Sequence, residues 1–194
     1  VSRRPAPLER LQLSAAALQR LLDAGAWLEL RRRARALIRA AAAAGIDSAY
    51  LWWCLTAACD ELGDSLAALN AVCRAARLDP AHPAIVRAFA DTCEHARARL
   101  VAAPSRSRRV PALYEALSRL GETDADCHLA LARHLLARGD RAEARRLVDA
   151  VLTLAPTHVA ACALERRLAP RPRATAPRFS PDRPLFGVPT TASS

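Results

Sequence analysis

The stretch that decides the fold runs from Ala49 to His82, AYLWWCLTAACDELGDSLAALNAVCRAARLDPAH. Its apolar side chains recur every three or four residues in two blocks. Trp52, Leu55, Cys59 and Leu62 form one stripe, and Leu66, Leu69, Val72, Cys73 and Ala76 a second. That period predicts two amphipathic helices. Between them stands Gly63-Asp64, a glycine suited to end one helix and an aspartate suited to cap the next. Pro80 stops the second helix.

The same arrangement returns 76 residues later. Leu131, Leu135, Gly139-Asp140, Ala144, Val148 and Pro156 occupy the places of Leu55, Cys59, Gly63-Asp64, Ala68, Val72 and Pro80, with His128 in place of Trp52. A displacement of 76 residues holds one period of 34 and one of 42, so an intervening copy with an eight-residue insertion is expected. Val86, Phe89 and Cys93 continue its first stripe, the insertion falls in Ala102 to Arg109, Pro111 suits a helix start, and Tyr114 takes the place of Val72. Upstream, Leu11 to Ser48 forms a longer, degenerate copy with turns at Gly25 and Gly45. Downstream, Val159 to Leu168 is one more short helix.

Trp52 and Leu55, Ala68 and Val72, and Pro80, at these spacings in a 34-residue unit, resemble the tetratricopeptide repeat family. Thr56, Cys59 and Val72 depart from the family's Gly, Tyr and Phe, each within the small or apolar packing class. The resemblance covers residues 49–82 and 125–158 best, 83–124 less well, and 11–48 in outline. It implies an all-α chain, a right-handed α-solenoid of about four helical hairpins at 11–48, 49–82, 83–124 and 125–158 with a terminal helix at 159–168. This repeat domain, 11–169, would follow an extended lead at 1–10 and precede an extended Pro-rich tail at 170–194.

The resemblance also implies a concave groove lined by the first helix of each repeat. Tyr50, Trp53, Ala57, Asp60 and Glu61 would face it in the second copy, and Ala84, Arg87, Asp91, Glu94 and His95 in the third. In the fourth the set is Asp126, Leu129, Arg133, Leu136 and Ala137. Trp52 is expected to be buried between helices. Trp53 is either open to a ligand or covered by the preceding repeat. The Lys/Arg and Asn clamp with which chaperone-binding members hold a terminal carboxylate is not reproduced, so that activity does not carry over.

Composition narrows the classes. The 52% hydrophobic content is ample for a core, but much of it is alanine, which buries little area per residue and calls for many stacked helices. No apolar run, Ala40 to Ala44 included, is nearly long enough to cross a bilayer, and direct membrane insertion is not expected. The net charge is +10, carried by 29 arginines with no lysine. A GC-rich genome accounts for that bias, yet each guanidinium remains charged and pairs with carboxylate or phosphate, so acidic partner surfaces are favoured. Arg31, Arg35 and Arg39 share one helix face, either a solvated outer face or an anion site. Pro104-Ser105-Arg106-Ser107-Arg108-Arg109 must lie at the surface, as a partner-binding loop or an ordinary insertion.

Candidate chemistry is sparse. The six cysteines, at 54, 59, 73, 93, 127 and 162, form no C-x-x-C pair or zinc spacing and fit free, buried thiols in a reducing compartment. Cys93 lies two residues from His95, and Cys127 two turns from His134, neither a spacing that aligns a nucleophile with a base. His82 and His158 fall in equivalent inter-repeat turns, and no Gly-rich phosphate loop exists. No catalytic residue, cofactor or metal is expected. Val1 to Pro7 lacks a secretory apolar core, Val1 fits a GUG start as well as a processed precursor, and a cytoplasmic location is expected.

From Pro170 onward six prolines exclude helix, and Phe179, Leu185, Phe186 and Val188 are spaced along the chain among Arg and Pro. This tail is expected to dock on a neighbouring subunit or to fold back onto the chain's own groove. The function expected is therefore non-catalytic protein binding or scaffolding within a larger complex. The rival is an Arg-mediated nucleic-acid binder using Arg31, Arg32, Arg33, Arg35, Arg39, Arg106, Arg108 and Arg109, against which stands the absence of a recognised reader motif.

Overall fold

The computed structural model describes residues 7–169, with side chains from Ser14 onward. The tail, with Phe179, Leu185, Phe186 and Val188, lies outside the described residues. Those described form nine α-helices and no strand: α1 Pro7–Asp23, α2 Trp27–Ala43, α3 Ala49–Glu61, α4 Ser65–Leu78, α5 Pro83–Ala102, α6 Arg109–Arg119, α7 Ala125–Arg138, α8 Arg141–Leu154 and α9 Val159–Leu168. The first helix begins at Pro7, so residues 7–10 are helical where an extended lead was expected.

The turn chemistry follows from local sequence. Gly63, at φ 75°, takes the left-handed conformation that closes α3, and Asp64 N–H bonds back to Cys59 O at 2.8 Å. The Asp64 carboxylate then accepts from Ala67 N to start α4. At the equivalent turn Gly139 has φ 91°, Asp140 N–H bonds to Leu135 O at 3.0 Å, and Asp140 caps α8 through Glu143 N. A β-carbon at either glycine would meet no clash but would demand a backbone conformation that L-residues disfavour.

Each helix packs on its neighbour in sequence, and α1, α3, α5, α7 and α9 also touch in an unbroken line. Among the even-numbered helices described, only α4 and α6 bring Cα atoms within 8 Å of each other. The buried positions recur in register. Leu51, Ile85 and Cys127 are equivalent, as are Ala58, Thr92 and His134 in the same three helices, and all are buried. Ala68, Val110 and Ala144 match in α4, α6 and α8, as do Ala75, Leu117 and Val151. Three apolar clusters follow one another along the chain, the first across α1 to α4, the second from α4 to α7, the third over α7 to α9.

The apolar stripes differ in part from their sequence reading. Trp52 is only half-buried, held at the rim by its indole N–H, which donates to Asp47 Oδ1 at 2.6 Å. The core of α3 keeps Leu55 and Cys59 from that stripe and adds Leu51, Cys54 and Ala58, because α3 packs on both α2 and α4. Val86 is 54% exposed while its neighbour Ile85 is buried. Tyr114 is half-buried, its ring edge-on to His128 with centroids 5.6 Å apart.

These depths predict unequal costs. Leu100→Ala, at a fully buried site, is expected to destabilise by about 2–5 kcal/mol, whereas Val86→Ala should stay within about 0.5 kcal/mol. Denaturant melts of both variants check the assignment.

Candidate functional site

The face of the odd-numbered helices gathers most of the residues singled out in the sequence. Tyr50 and Trp53, one turn apart on α3, pack with ring centroids 5.8 Å apart at a 37° tilt. The Tyr50 hydroxyl reaches back to α1, 3.3 Å from Ala15 O and 3.2 Å from Gln19 Oε1. Both rings are half-buried, so α1 covers part of this aromatic pair and leaves part open.

Asp60 has an internal partnership. Its carboxylate lies 2.6 Å from His95 Nδ1 and accepts from Arg99 Nη1 at 2.8 Å. Arg99 Nη2 donates to the Asp60 carbonyl at 2.6 Å, placing a cation at the carbonyl end of α3, and Nη1 also reaches Ser65 Oγ at 3.1 Å. The ion pair with Asp60 raises the His95 pKa above 6.5, its hydrogen bond being the larger cause, with Arg99 opposing and Asp91 adding to the rise. Arg133 likewise donates to Val101 O at 2.9 Å. Glu61, Arg87 and Asp91 are exposed. Leu129, assigned to the groove from the repeat register, is buried, in a cluster that α7 shares with Val148 and Val151 of α8 and with Ala161, Leu164 and Leu168 of α9.

Of the basic stripe, Arg39 is exposed, Arg35 lies close enough to act on the Cys59 thiol, and Arg31 lines a cavity of about 540 Å³. That cavity lies where the turn between α3 and α4 faces the loop between α5 and α6. Arg99 and Arg109 also line it, with Leu62, Leu66, Leu100, Val110 and Leu113. Sequence reading missed Arg99 because α5 has 20 residues against 13 in α3, which leaves that position without a counterpart in the second repeat. A signal was present, since Arg99 falls one turn after His95 and shares its face.

All six thiols are free. Burial pushes the pKa of Cys54, Cys93 and Cys127 up to about 11, which keeps them protonated at neutral pH. Among the described residues no group of three His, Cys, Asp or Glu side chains is arranged to hold a metal ion, and no helix is long and apolar enough to cross a membrane. Comparison with known proteins returns no matching family model, no similar curated protein and no matching solved structure.

Two measurements check this site. A proton NMR titration is expected to place the His95 pKa above 6.5, and Asp60→Asn should lower it. Since folding raises that pKa, the stabilisation from the imidazolium is complete below about 6.5 and disappears as pH rises through the raised value. In a native thiol titration, half-buried Cys73 and Cys162 should react first, with Cys54, Cys59, Cys93 and Cys127 following only on unfolding.

Proposed function

We propose that the chain is a tetratricopeptide-like right-handed α-solenoid acting as a non-catalytic binding module, a scaffold subunit of a larger cytoplasmic complex. The observation that carries this reading is the unequal packing of the two helix sets. The backbones of the odd-numbered helices approach within 8 Å in one unbroken line, whereas those of α2 and α4, and of α6 and α8, stay farther apart. Such asymmetry curves an array and leaves one continuous surface for a partner. On that surface Glu61, Arg87 and Asp91 are exposed beside the partly open Tyr50–Trp53 pair, an aromatic anchor with a charged surround.

A binding role also fits the thiol chemistry, since protonated, buried cysteines make poor nucleophiles. The tail adds a second contact in this reading. Phe179, Leu185, Phe186 and Val188, set among prolines, would enter a partner's pockets at reduced entropic cost.

The test is affinity purification of the tagged full chain from its native cell, with nuclease treatment and quantitative mass spectrometry, beside an Arg87→Glu/Asp91→Arg variant. A defined set of proteins should survive nuclease and fall at least about fivefold with the variant, as for loss of a charged contact. A chain ending at Ala169 should keep its melting temperature and lose those partners that need the tail. Recovery abolished by nuclease, with a steep dependence on salt, would instead support the Arg-mediated nucleic-acid reading.

A further inference from the structure

We infer that the cavity between α2, α4 and α6 is a second binding site, for an acidic peptide segment that inserts one aliphatic side chain. The site lies at the turn edge of the molecule, apart from Arg87 and Asp91, and it stands on four observations.

The first is why the cavity exists. The longer α5 overshoots α3 by roughly 10 Å at 1.5 Å per residue, which carries the next turn past Gly63-Asp64 and opens a step between the two. The volume, about 540 Å³, suits a few residues of a peptide.

The second is that its wall is fixed. An inserted surface loop would ordinarily move, but α7 holds this one through His134 and holds the last turn of α5 that leads into it through Arg133. Arg133 Nη2 donates to Val101 O at 2.9 Å and His134, itself 98% buried, pairs through Nδ1 with Ser105 O at 2.8 Å. The equivalent positions in α3 and α5 are Ala58 and Thr92, so the histidine appears in the copy that follows the insertion. Ser107 N–H closes the loop on Pro104 O at 2.8 Å, and Ser107 Oγ accepts from Arg109 N.

The third is charge. Arg31 and Arg109 line the cavity and neither forms an ion pair among the described residues. Arg99 is already bound to Asp60, and the only carboxylate in the lining, Asp64, caps α4. The lining is therefore net positive.

The fourth is the floor. Half-buried Leu62 and Leu66 line the cavity beside those arginines, backed by the buried side chains of Leu100, Val110 and Leu113. A carboxylate-rich segment carrying a leucine or isoleucine matches both halves of the site. Bidentate Arg–carboxylate bonds would fix it at the rim, and the aliphatic side chain would leave water in the floor.

The test is an NMR titration of the isotope-labelled full chain with a capped hexapeptide of glutamate and leucine, its glutamine–leucine counterpart, inorganic phosphate, and oligouridylate. The glutamate peptide should give saturable shifts at Gly63, Ser65, Ser107 and Val110, and the glutamine peptide should bind at least about tenfold more weakly. Arg31→Gln/Arg109→Gln should lose binding at least about tenfold, while Arg35→Gln/Arg39→Gln changes it less than about twofold. Ser107→Glu, which sets a carboxylate on the rim, provides a second blocking variant should the double substitution lower the melting temperature. The proposal is overturned by shifts scattered over the arginine surface, by unchanged affinity in the blocking variants, or by phosphate or oligouridylate moving the same residues at lower concentration.

Discussion

Close helix approach through alanine and cysteine is the constraint on which the rest of the structure depends. Ala34, Ala58, Cys59, Ala68 and Ala71 fill the first core cluster, where larger side chains would hold the backbones apart. Small side chains bury little area each, so burial has to be gathered over several helices. The buried residues accordingly fall into three consecutive clusters, each spanning three or four helices.

That dependence on neighbours makes the insertion before α6 consequential. An enlarged turn in a stacked structure leaves a gap unless another helix accommodates it, and α7 does so with Arg133 and His134. The His134 ring donates to a carbonyl through Nδ1, while its Nε2 is buried without a hydrogen-bond partner. A polar ring in the place of Ala58 thus trades local packing for control of a loop. The Asp60–His95–Arg99 group ties α3 to α5 on the adjoining surface, and the loop and the ion cluster together frame the turn edge.

What the sequence revealed was mostly local. Gly63-Asp64 and Gly139-Asp140 announced their turns because a left-handed glycine and a capping aspartate act within a few residues. The terminal helix was legible from the proline turn before it and the apolar residues within it. The depth of Trp52 was misread, since it looks like a core residue by size alone, and only contact with α2 and α4 decides that Leu51 and Cys54 are inside with Leu55 and Cys59. Groove residues required knowledge of what lies above them. Leu129 shares its cluster with residues of α9, more than thirty residues away in the chain, and Asp60 is drawn inward by Arg99, 39 residues on. The cavity was least legible, because it arises from a mismatch in length between α3 and α5 rather than from any motif.

The central claim is that this is a linear stack whose stability passes from neighbour to neighbour, and native-state hydrogen exchange of the full chain tests it most directly. A stack predicts graded protection, highest in α3 to α5 and lower toward α1 and α9, with separate opening free energies for the end helices. A single opening free energy shared by the core amides of α2 through α8 would contradict it, since that is the behaviour of one indivisible core.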